Sequence, residues 1–385
     1  MLITLALLIP ILTAIALFIY KREYVTWWEY VIVLVVPFMC VLGIKAVAQA
    51  SLMYTDEYWT TMGTKAAYYE AWDEEVPCEH PEYETDTDSE GNTTTRFVGY
   101  EHAYDVDDHP PIWILQDNLG QDFSISKSKF EELCSRWNNK TFKDLNRDYH
   151  SIDGDMYFTV WDSTFSSIES ISTTRKYKNK IKHSDSLFQF KKVDLKDQLL
   201  FKYKKPDNYY KCNFIYGAGT ESEQLLLRRW NTVVGSKRKA VLMVIVYYNK
   251  PMEVSYNQEA YWKGGNKNEF ILCVSVDEKK KIQWTRVLSW TKETTLKAQV
   301  EREIQEMETF DLTAVINYLG TTVEGNPRCI RRDFEEFNYI SVPVPLWGSI
   351  FALLVSLIIS FIIADLVAKN EYNAIIYREN RRLKY

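Results

Sequence analysis

Apolar residues crowd the two ends of the chain, and the long middle alternates polar and apolar positions. Residues 1 to 20, MLITLALLIPILTAIALFIY, carry no charged side chain and are long enough to cross a hydrocarbon core of about 30 Å. A second run, 31 to 50 (VIVLVVPFMCVLGIKAVAQA), holds one lysine, Lys45, near an end where its ammonium reaches the headgroups. A third, 345 to 368 (PLWGSIFALLVSLIISFIIADLVA), holds one acid, Asp365, close to its exit. Each predicts a transmembrane helix. Pro10 and Pro37 are tolerated because neighbouring groups take up the carbonyls they free. The first run has no Lys or Arg before it and Lys21-Arg22 after it, the reverse of a cleaved leader. Ala48-Gln49-Ala50 resembles a cleavage site, but Lys45 just ahead of it argues against cutting.

Between the second and third runs the pattern changes twice. Tyr54 to Glu75 leads out with amphipathic aromatics, and CEHPEYETDTDSEGNTTT is acidic and turn-rich, an exposed loop or hairpin tip. RFVGYEHAYDV, PIWILQDN and QDFSIS read as short strands about a turn at Leu119-Gly120. Ser126 to Trp137 predicts a helix with Phe130, Leu133 and Trp137 on one face, and MYFTVW, SSIESIST and KYKNKIKH return to strand. Further on, Glu221 to Val234 predicts an amphipathic helix and Ala240 to Tyr248 (AVLMVIVYY) a strand buried on both faces. FILCVSV and IQWTRVLSW are strands joined by the charged turn Asp277 to Lys281. Lys292 to Met307 and Asp311 to Leu319 are helices.

The expected fold class is an α+β membrane protein, three transmembrane helices with a large soluble insert made of an antiparallel β-rich half and an α/β sandwich half. The layout is helix 1–20, cytoplasmic link 21–30, helix 31–50, β-rich subdomain 51–205, α/β subdomain 206–341, helix 345–368 and basic tail 369–385.

Charge orients this layout. Lys21 and Arg22 follow the first span, and Lys369, Arg378, Arg381, Arg382 and Lys384 follow the third, so link and tail belong in the cytoplasm. The insert is then outside it, a periplasmic domain on a bacterial or host inner membrane. A net charge of −6 lacks the basic excess of a nucleic-acid binder. That leaves the lipid bilayer and a protein as the partners. The six cysteines form no CxxC, which argues against redox motifs and zinc ribbons.

Candidate chemistry is sparse. Asp86, Asp88 and Glu90 imitate the start of a calcium loop, but Phe97 stands where the twelfth-position Glu is needed, and a solvated acidic turn accounts for them. Cys78, His80, His102 and His109 offer soft and imidazole ligands to zinc, in a spacing that matches no common site. In an oxidising compartment a disulfide is the expected fate of Cys78. Lys176, Lys178, Lys180 and Lys182 alternate with Tyr177 and Ile181, as an anion strip or as the solvent face of a strand. Gly217-Ala218-Gly219 and Gly264-Gly265 fit no phosphate loop. Asp153-Gly154-Asp155 reads as a turn, and no nucleophile triad or cofactor motif occurs.

The stretches SIDGDMYFTVW, RKYKNKIKHSDSLFQF, YNQEAYWKGGNKNEFILCVSVD and IQWTRVLSWTK resemble a family of uncharacterised membrane-anchored proteins of tailed bacteriophages and bacteria. That resemblance implies an envelope protein and brings no activity. Trp262-Lys263-Gly264-Gly265, Asn268 and FILCV are similar to the TPM domain, an α/β sandwich with some phosphatase members, although SWTKETT replaces the usual glycine-rich turn. The expected function is presentation of an extracytoplasmic domain for protein or surface interaction. The alternative is a TPM-type hydrolase.

Overall fold

The computed structural model describes residues 2–21, 25–145, 154–184, 190, 200–203, 212–328 and 331–369. Asp153, most of the basic tail and Cys329 lie outside the described residues. The described part is α+β, with eight α-helices and largely antiparallel sheets. It divides into two compact units, residues 1–57, 175–193 and 333–385 in one, 58–174 and 194–332 in the other.

The first unit is a three-helix bundle. Helices α1 (Leu2–Lys21), α2 (Trp27–Met53) and α8 (Leu346–Lys369) are 20, 27 and 24 residues long, so each spans about 30 Å or more at 1.5 Å per residue. All three are long and apolar enough to cross a membrane. Small residues line much of the face that α8 turns to the other two. On α8 the buried positions Gly348, Ala352, Ser356 and Ser360 recur every four residues and form one stripe. Ala48 of α2 lies so close to Gly348 that a Cβ there would stand 2.5 Å from its methyl. The Ser356 hydroxyl donates to the Ala6 carbonyl at 2.7 Å. Ala6, Val41 and Ala352 cluster at one level, and Leu17, Val33 and Val367 at another. Helix α1 therefore runs parallel to α8, and α2 runs against both. The chain leaves α2 and re-enters α8 at the same end of the bundle, where Gln49 donates to the Val342 carbonyl.

In the second unit, which β1 enters at Tyr58 and β10 leaves after Thr174, a six-stranded sheet runs β7-β6-β1-β9-β8, with β10 also pairing to β1. The strands are β1 (Tyr54–Tyr69), β6 (Ile112–Asp117), β7 (Asp122–Ser124), β8 (Thr141–Lys143), β9 (Met156–Val160) and β10 (Glu169–Lys178). Helix α3 (Lys127–Trp137), capped by Ser126, lays Phe130, Leu133 and Trp137 onto Ala66, Leu115 and Ile171. The expected helix and its buried face are both present.

A four-stranded sheet, β11-β12-β13-β14, holds the larger core. Strands β11 (Ile215–Tyr216), β12 (Val241–Tyr248) and β13 (Glu269–Val276) are parallel, and β14 (Ile282–Ser289) closes antiparallel. Helices cover both faces. Arg286 reaches Glu259 on α5 (Glu253–Tyr261), while its neighbour Thr285 donates to the Glu301 carbonyl on α6 (Thr294–Gln305). Adjacent strand residues point to opposite faces, so α5 and α6 lie on opposite sides. Helix α4 (Glu221–Arg238) packs on α7 (Leu312–Gly325), where the Trp230 ring sits over Gly320 and leaves no room for a Cβ.

Candidate metal centre

Two two-stranded ribbons extend between β1 and β6. Strand β2 (Trp72–Pro77) pairs with β5 (Tyr104–His109), and β3 (Pro81–Thr87) pairs with β4 (Thr93–Tyr100). The inner ladder ends at Pro77 opposite Tyr104, and the outer one begins at Pro81 opposite Tyr100. Three residues on each side fill the gap: Cys78, Glu79 and His80 face Glu101, His102 and Ala103. One backbone bond, Glu101 N–H to the His80 carbonyl at 3.0 Å, spans it.

Four side chains converge at this waist. Cys78 Sγ lies 3.2 Å from His102 Nδ1 and 3.8 Å from His80 Nδ1. Asp105 Oδ2 is 3.4 Å from His80 Nδ1, and its Oδ1 is 3.3 Å from His102 Nδ1. All four donor atoms lie within 4.8 Å of one another. Cys78 is buried and is a free thiol, so the expected disulfide is not formed there. A thiol packed on two imidazoles beside a carboxylate presents the donor types that zinc takes. Burial pushes the Asp105 carboxyl up. Hydrogen bonds from Cys78 and the Glu79 N–H, with the charges of His80 and His102, outweigh this and hold it below the ordinary 3.8.

Three of the four zinc candidates read from the sequence thus meet, and the fourth does not. His109 stacks on Trp72 at 4.0 Å, with Nε2 3.0 Å from Glu74. Asp105 takes its place. The signal for it was the pairing Cys78-x-His80 with His102-x-x-Asp105, which becomes meaningful only once the register sets both pairs across one gap.

Asp86, Asp88 and Glu90 lie apart from this waist, at the hairpin tip. There Asp88 Oδ1 accepts the N–H of Glu90 and of Asn92, each at 2.9 Å. These bonds, led by that from Asn92, hold the Asp88 carboxyl below its usual range. The side chain closes a turn.

The remaining candidates lie away from the waist. Lys176 and Lys178 are exposed, whereas Tyr177 and Ile181 between the lysines are buried. Asp155 accepts from the Leu145 N–H at 3.3 Å. Gly217 sits at φ +80°, where a Cβ would meet the Val246 carbonyl oxygen at 2.1 Å, so the turn into α4 needs a glycine. The WKGG segment turns left-handed through Lys263, Gly264 and Gly265 and wraps the buried Glu269, whose carboxylate accepts from Tyr203 OH and from Asn266. Burial, with Glu269 alongside, drives the Tyr203 phenol far above its ordinary value.

No protein-family model, curated protein or solved structure matches this chain. Its reading rests on its own geometry.

Proposed function

We propose that the chain is an integral membrane protein of a bacterial or phage-infected envelope. It holds its α+β domain outside the cytoplasm and offers it to a protein partner. One observation carries the reading: three long helices packed through small residues, with large apolar side chains such as Leu12, Ile19, Ile358 and Phe361 turned outward. A surface of that size stays out of water only if lipid covers it. The bundle's geometry supports the rest, because α2 delivers the chain and α8 recovers it at one end. Lys21 and Lys369 stand at the other end, where the positive-inside bias puts the cytoplasm.

Partner contact is supported by the outer ribbon. Tyr83, Phe97 and Tyr100 are all exposed and form a row of edge-on rings at 5.9 and 5.4 Å. Exposed aromatics of this kind are enriched at protein interfaces. Protease added to intact spheroplasts is expected to remove residues 58–332 and to spare them in inverted vesicles. The reverse pattern overturns the orientation, and full-length chain in the supernatant without detergent overturns the anchoring. Cross-linking through the ribbon should return one defined partner rather than bulk membrane protein.

A further inference from the structure

We infer that Cys78, His80, His102 and Asp105 bind one zinc ion, which staples the 72–109 ribbon at its waist. The inference is independent of the side of the membrane on which the domain lies.

With bonds of about 2.0–2.1 Å to nitrogen and oxygen and about 2.3 Å to sulfur, a tetrahedral ion sets its N/O ligands about 3.3–3.4 Å apart. The corresponding S/N separation is about 3.5–3.6 Å. The nitrogen–oxygen distances here are 3.4 and 3.3 Å, and the sulfur–nitrogen distances 3.2 and 3.8 Å. The two nitrogen–oxygen distances run to different oxygens of Asp105, so with either oxygen as the vertex three of the six edges of the tetrahedron are already near the length the ion requires.

One thiolate, two imidazoles and one carboxylate suit a borderline ion such as zinc, while calcium and magnesium take oxygen ligands throughout. Both histidines present Nδ1. The Glu101 carboxylate stands 3.9 Å from His102 Nε2, on the side where a ligating imidazole's second N–H finds an acceptor. On binding, the Cys78 thiol gives its proton to solvent and the sulfur's electron pair goes to the metal. Four protein ligands leave no open position for water, so the site is a closed, structural one.

Strand β3 is exposed at every position and β4 at all but Gly99, so the outer ribbon has no core of its own. An isolated two-stranded ribbon is marginal in water, and small parts short of apolar burial are held by a disulfide or a metal. Cys78 forms no disulfide.

The test uses the full chain in detergent, stripped with a chelator and then loaded with zinc alone. One zinc per chain is expected. Cobalt in its place should give the intense visible bands of tetrahedral coordination and a thiolate charge-transfer band that Cys78→Ser abolishes. His80→Ala, His102→Ala and Asp105→Asn should each weaken zinc by more than about tenfold, the least that loss of even an outer-shell partner costs. His109→Ala should leave it unchanged. Zinc should slow hydrogen exchange across 72–109, while unchanged exchange in β12 and β13 certifies that each variant is folded. Substoichiometric zinc in the folded protein, or equal retention by Cys78→Ser and His102→Ala, overturns the site. Ribbon exchange indifferent to zinc overturns the staple.

Discussion

Glu169 is almost wholly buried, yet its carboxylate reaches Lys129 at 3.0 Å and Arg136 at 2.5 Å, with Glu132 beyond them. Removing the buried partner of such a set leaves the two cations with only the half-exposed Glu132 to balance them. Glu169→Gln is expected to lower stability by about 2–3 kcal/mol in chemical unfolding, below the range for a fully buried pair because both cations keep some water. Acid should act nearby in the same direction. Burial pushes the Glu132 carboxyl up, but the hydrogen bond and charge of Lys129, and Arg136 behind it, hold it below the ordinary 4.5. A hydrogen bond from Ser167, then the Thr164 N–H, holds Asp162 below 3.8. A carboxyl depressed in the folded chain stabilises it fully above the ordinary value and loses that effect as pH falls through the folded one. Unfolding free energy should therefore be flat with respect to these groups above about pH 5 and drop below about pH 4, and Asp162→Asn should flatten part of that drop. At this scale the sequence spoke unevenly. The face of Phe130, Leu133 and Trp137 is visible as spacing, whereas Asp105 is one acid among many until a ladder register sets it beside two histidines.

Among the elements, the seam of α8 makes the sharpest claim. Gly348→Leu should drive a side chain into Ala48 and loosen the bundle. Ser356→Ala should cost only about 0.6 kcal/mol, the average for a hydrogen bond between membrane helices. Unfolding in rising SDS distinguishes the two, and equal loss in both would refute close packing as the glue. Elements with a strong period, such as α3 and α4, or a continuous apolar run, such as β12 and β13, could be read in advance. Helix α5 could not. Its buried positions are Val254, Ser255 and Gln258, and the last exchanges hydrogen bonds with the Phe201 backbone at 2.8 and 2.9 Å. A helix that buries polar groups through a specific partner leaves no hydrophobic period to detect. Strand β1 hid for a related reason, since Glu57, Thr60 and Thr61 are buried among its aromatics.

For the whole molecule, apolar length located the three membrane-length helices to within a few residues, because apolar run length is a sum over side chains and needs no tertiary detail. The waist of the ribbon depends on which strand meets which, and no local rule supplies that. The direction of the helices has a consequence of its own. With α1 running parallel to α8, Leu2 and Lys369 stand at opposite ends of the bundle. If the bundle crosses a bilayer as proposed, fluorescent or enzymatic reporters fused beyond each sit in different compartments. One chain, doubly labelled, would carry its own sidedness standard.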